Sequence, residues 1–170
     1  MKGRPYETEF APYYLTYIRQ ADGDDAISIL ERQLADSPGT FAGISDEKSL
    51  YRYAPDKWSI RQVLNHASDT ERAFAFRALW FARGFESSLP SYDQHIACAG
   101  AQADTVPWHA HIEEFQHVRA ATIALFRNLP EEAWMRSGVA SDNRFTVRAL
   151  AFIAAGHFAH HLRILRERYL

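Results

Sequence analysis

The chain has 170 residues, 47% of them hydrophobic and 14% aromatic, which is enough for a substantial core in a single domain over 1–170 and excludes a disordered chain. Nineteen basic residues against 21 acidic ones leave a net charge of −2, so no global field draws the chain to a nucleic-acid backbone. The lone cysteine, Cys98, excludes an internal disulfide and a zinc site built from several thiolates, and leaves the eight histidines as the compositional outlier.

The opening residues mix Lys2, Arg4, Glu7, Glu9 and Arg19 with tyrosines, which is not a signal peptide, and no uncharged stretch approaches the length of a membrane span. A soluble, cytoplasmic protein with no membrane or nucleic-acid partner is expected. Residues 5–21 are aromatic and loosely periodic and read as a short leading helix or packed arm. Asp24 or Asp25 then caps a first long helix whose apolar face is Ile27, Leu30 and Leu34. Pro38-Gly39 interrupts it, with Phe41 and Ile44 beyond as a kinked continuation or a separate turn.

Residues 45–57 turn polar and read as a loop. Ser59, with Gln62 three residues on, has the form of a reciprocal cap and opens a second long helix that should stop at Gly84. Its seam of Ile60, Val63, Ala67, Thr70 and Phe74 carries His66 at its edge. Residues 85–106 lack helical period and contain Pro90 and Gly100, so a long connection is expected, with His95 and Cys98 in it. A third long helix spans 107–128, residues 131–134 fit one turn, 138–144 read as loop, and Thr146 caps the last helix.

That last helix holds the densest histidine cluster, Gly156-His157-Phe158-Ala159-His160-His161. Residues four apart on a helix differ by ~40° in azimuth and ~6 Å in height, so His157 and His161 leave one face at a separation one ion can bridge. The seam Val147, Leu150, Ala154, His157, His161 and then Ile164 or Leu165 puts both rings where core leucines belong. They are metal ligands, core histidines satisfied by neighbours, or ordinary histidines at a solvated helix end. The apolar character of residues 150–159 on more than one side calls for cover from the leading arm or from a second copy in a homodimer.

Four long helices with long middle connections make an all-α four-helix bundle, whose sites form from side chains on facing helices. If the second and fourth helices are neighbours, His66 joins His157 and His161. Three neutral imidazoles with an open fourth position suit catalytic zinc, and nickel or iron also accept imidazole.

Two blocks carry a family resemblance: Lys57-Trp58-Ser59-Ile60 leading into His66-Ala67-Ser68-Asp69-Thr70-Glu71-Arg72, and Val147-Arg148-Ala149-Leu150 leading into Gly156-His157-Phe158-Ala159-His160-His161-Leu162. In order and at this separation they resemble the DinB-like four-helix-bundle superfamily, also called the DinB/YfiT-like metalloenzymes. By position the resemblance assigns the metal to His66, His157 and His161. It implies a divalent ion, zinc or nickel, and an enzyme acting on a small molecule. Thiol S-transfer with a low-molecular-weight thiol is the leading reaction; a metal-dependent hydrolase and a non-catalytic metal or ligand-binding protein are the alternatives.

Neighbouring residues are assigned by register. His160 offers a competing three-residue step but rotates away from the seam, behind the ligands or at the surface. Asp69, one turn after His66, is placed either to accept a ring N–H or to pair with Arg72. Glu71 points off the histidine face toward a basic residue of another helix, such as Arg148. Trp58 and Trp134 read as core or capping aromatics, and His109, His111 and His117 as surface.

Overall fold

In the computed structural model, which describes residues 3–170, the leading segment folds as two 3-10 turns and a single helical turn, α1 (Leu15–Ile18). Arg4 closes the end of this arm by donating to the carbonyls of Ala21 (2.7 Å), Gly23 (2.9 Å) and Ile18. Asp25 accepts hydrogen bonds from the N–H groups of Ile27 (3.1 Å) and Ser28 (3.4 Å) and so starts α2 (Ala26–Phe41). Pro38 sits inside α2, which continues through it to Phe41. The Ser37 hydroxyl donates to Leu34 O at 2.8 Å, taking the carbonyl that proline leaves without an N–H partner.

The reciprocal cap on Ser59 forms as expected, with Gln62 N to Ser59 Oγ at 3.1 Å and Ser59 N to Gln62 Oε1 at 3.0 Å, and opens α3 (Ile60–Ala82). The connection that follows is more ordered than its composition suggests. It contains α4 (Gln94–Ala101), started by Asp93, which accepts from His95 N at 2.8 Å and Ile96 N at 3.1 Å. α5 (Trp108–Arg127) comes next. Residues expected as loop then pair as a hairpin, β1 (Ser137–Ala140) with β2 (Asn143–Thr146), across a two-residue turn in which Ser141 and Asp142 have φ of 51° and 60°. Both positive values make this the turn whose twist matches that of a hairpin. Thr146 accepts from Ala149 N at 3.1 Å and opens α6 (Val147–Arg168).

The four long helices close a ring: α3 packs on α5 and α6, and α2 packs on the same two from the other side. Arg119, fully buried on α5, donates to both carboxylate oxygens of Glu71 on α3 at 2.7 to 3.0 Å and also to Gln33 of α2. Gln33 in turn donates to Ala155 O of α6 at 2.9 Å, so one polar thread ties all four helices at mid-height. Glu71 therefore does not meet Arg148. Arg148 instead pairs with Glu9 of the arm, which also accepts from Thr146 at 2.7 Å. Register shows which way Glu71 points, but not which helix stands opposite.

α6 is buried along its first half because the arm lies over it. A Cβ on Gly156 would fall 2.0 Å from Tyr17 O, so only glycine lets the α1 backbone approach this closely. The cover that residues 150–159 require on that side comes from the leading arm.

Candidate metal centre

The contact between α3 and α6 brings the three histidines together. His66 Nε2 lies 3.2 Å from His157 Nε2, and His161 Nε2 lies 3.1 Å from the same atom. His66 and His157 are each 5% exposed and His161 is half-buried. The ring of Trp58, one residue before the α3 cap, packs at a tilt on His66 with ring centroids 4.8 Å apart, so this residue packs on the site as well as marking the helix start.

Burial pushes the His66 pKa down to about 4 and His161 to about 3, with the neighbouring histidines adding to the effect; His157 falls well below its ordinary value for the same reasons. All three rings are neutral near pH 7. Thr70 Oγ1 stands 3.2 Å from His66 Nδ1, and the tautomer that donates Nδ1–H to it leaves a lone pair on Nε2.

This donor set fits a metal ion. His157 Nε2 is the close neighbour of both other Nε2 atoms, and its one lone pair or one proton cannot satisfy two partners at once. Metal–nitrogen bonds of ~2.0–2.1 Å in tetrahedral geometry separate ligand nitrogens by about 3.4 Å, close to the distances seen here. His66, His157 and His161 are the described residues that could hold an ion, one nitrogen each, all within 4.8 Å of one another.

The other residues singled out in the sequence do not join the cluster. His160 is outside the cluster, with Nδ1 3.1 Å from Gln20 Nε2 and its ring edge-on to Tyr17. Asp69 pairs with Arg72 at 3.1 Å, and the group on His66 Nδ1 is Thr70. Trp134 is buried against Phe126. His109 and His117 are exposed, but His111 is buried with Nε2 2.9 Å from Ala103 O, because the turn after α4 folds back on α5. Cys98 is buried on α4 and burial raises its thiol pKa, which makes it a poor nucleophile.

A cleft of about 310 Å³ opens onto His66 and His157. Its other walls include Tyr14 and Tyr17 from the arm, Arg77 from α3, His95 from α4 and Ser141 from the hairpin turn. The arm tyrosines form a network, with Tyr13 and Tyr17 hydroxyls 2.9 Å apart and Tyr17 edge-on to His157. None of these walls is legible in the sequence. The arm carries only an aromatic bias, and eight helical residues as small as those of α4 give little periodic signal.

A family model for the DinB superfamily matches residues 29–165, and the chain belongs to that superfamily. Among solved structures it is similar to YfiT from Bacillus subtilis, described as a probable metal-dependent hydrolase with an unusual four-helix-bundle topology. The TM-score is 0.74 and the identity 18%, over 98% of this chain and 91% of that one. It is also similar to a mycothiol-dependent maleylpyruvate isomerase, with a TM-score of 0.66 and 11% identity over 85% of this chain and 59% of that one. At these identities the likeness shows the fold, an α-helical bundle of the YfiT kind. No curated protein matches the chain in sequence.

Proposed function

We propose that this protein is a metal-dependent enzyme that uses His66, His157 and His161 to hold one divalent ion, zinc or nickel, and transfers a small thiol to an electrophilic small molecule. The observation that carries the reading is the convergence of three neutral imidazoles beside a cleft that opens onto His66 and His157 and has room for a small molecule. The chemistry such an ion supplies is a lowered pKa for a thiol or a water at its open position.

The protein's own residues bind and exclude. Thr70 fixes the His66 tautomer, and Trp58 and Tyr17 pack on the rings and keep bulk water off them. The aromatic and polar walls hold the substrate above the histidines. Among the described residues no carboxylate touches the cluster: Asp69 is tied to Arg72, and Asp93, though at the cleft, accepts the first N–H groups of α4. That favours a nucleophile brought in by a co-substrate, which needs only its own proton removed. Hydrolysis, where water must be deprotonated and a leaving group protonated, is the second reading; the closer likeness to YfiT and the presence of His95 on the cleft wall support it.

Cobalt-loaded protein titrated with small thiols tests the reading. Thiol transfer predicts a sulfur-to-cobalt charge-transfer band and turnover of a generic electrophile such as an activated haloarene. A spectrum indifferent to thiols, with ester or amide cleavage instead, selects the hydrolase.

A further inference from the structure

Four arginines are buried among the described residues, and three of them face a carboxylate. Arg61 pairs with Asp46 at 2.7 Å, Arg119 with Glu71 at 2.7 Å, and Arg148 with Glu9. Arg77, 6% exposed, has no carboxylate within ion-pair distance among the described residues. Its well-aligned hydrogen bonds run from Nη2, to Ser141 Oγ at 2.9 Å and to Pro90 O at 3.3 Å. Neither Nε nor Nη1 has a well-aligned acceptor in the protein, and neither is sealed from solvent, as the orphaned side-chain atoms of Ser68, Trp108 and His111 are. Those donors belong to the one buried arginine that lines the cleft above the histidines. The neighbouring Tyr14 hydroxyl engages the guanidinium as a neutral hydrogen-bond partner but supplies no charge, since burial raises its pKa.

A cation withdrawn from water without a partner is costly, and a guanidinium with free N–H groups is shaped to receive a planar oxyanion. Arg77 follows His66, Thr70 and Phe74 on one face of α3. The eleven residues from His66 rise about 16 Å, and a long helical side chain leans back toward the N-terminus, toward the histidines. The hairpin turn holds the guanidinium from behind through Ser141. No second arginine or lysine lines the cleft, so the charge to be met is that of a carboxylate and not of a phosphate dianion.

We propose that Arg77 is a substrate-binding residue that receives the carboxylate of an elongated small molecule whose other end lies at the histidine cluster. This deepens the thiol-transfer reading and rests on it for the molecule's other end. The substrate class is then a carboxylate-bearing thiol or thiol acceptor.

The test measures the affinity of mercaptohexanoate and of mercaptohexanol, which differ only in the carboxylate, by calorimetry on zinc-loaded and on chelated protein. Wild type should prefer the acid by about tenfold or more, in line with a charged hydrogen bond. Arg77→Met should bring the two thiols to nearly equal affinity without changing that for the alcohol. Zinc should tighten both thiols alike, and failure of that arm alone would count against the metal reading and leave the carboxylate preference as the measure of Arg77. Because Arg77→Met removes a buried hydrogen bond to the hairpin, the Nε–H resonance of Arg77, identified by its absence from Arg77→Lys, provides a wild-type readout. It should shift with the acid and not with the alcohol. Equal affinities in wild type, a preference that survives Arg77→Met, or an unmoved Arg77 resonance would overturn the assignment.

Discussion

His66 and His157 stand 91 residues apart in the chain, yet their Nε2 atoms lie 3.2 Å apart across the contact of α3 with α6. Neither ring is free to turn away: Thr70 holds the far nitrogen of His66, and Tyr17 and Phe74 pack edge-on against His157.

The Thr70 contact has a measurable consequence. Replacing Thr70 with Val keeps the volume but removes the acceptor for His66 Nδ1–H, so zinc affinity measured by competition with a chromophoric chelator should fall about 10- to 100-fold. Thr70→Ser should keep it. Equal affinities in all three proteins would show that the tautomer is set elsewhere.

The Arg119–Glu71 pair predicts an asymmetry in stability. Glu71→Ala strands a fully buried guanidinium and should cost about 3–5 kcal/mol in urea denaturation. Changing both partners to apolar residues of similar size, Glu71→Leu with Arg119→Met, should cost less than either single change, because no charge is left unpaired. A double variant as unstable as the sum of the singles would mean that the thread through Gln33 to Ala155, and not the charge balance, carries the effect.

The site was only partly legible before the fold was known. His157 and His161 declare themselves by a four-residue step in an apolar seam, and His66 by its place in the second seam, because helical period is a local property. Which helix faces which is not local, so Glu71 pointed correctly but to the wrong arginine. The hairpin was invisible for a different reason. Its turn places Ser141 and Asp142 in the left-handed region without the glycine that usually signals such a turn. Since Ser141 holds Arg77, that missed turn also hid a wall of the cleft.

Acid should loosen the arm. Burial raises the Glu9 pKa, but hydrogen bonds from Arg148, the Tyr6 amide and Thr146 outweigh it, and the carboxyl is held below its ordinary value of 4.5. With the folded pKa below the unfolded one, the unfolded chain binds more protons in that window, so stability rises with pH there. Glu9 thus contributes fully above pH 4.5 and loses its contribution as the pH falls through its lowered folded pKa. Melting temperatures of wild type and Glu9→Gln should differ near neutrality and converge in acid. A constant gap down to about pH 3 would show that Glu9 does not titrate as described.

The metal content of protein purified without an affinity metal tests the three-histidine centre most directly. Elemental analysis should find one divalent ion per chain in wild type and in His160→Ala, whose ring faces Gln20, and none retained after dialysis in His66→Ala or His161→Ala, where two ligands remain. A wild-type protein that neither carries nor takes up a stoichiometric ion, or a His160→Ala variant that loses it as completely as His66→Ala, would contradict the assignment of these three rings.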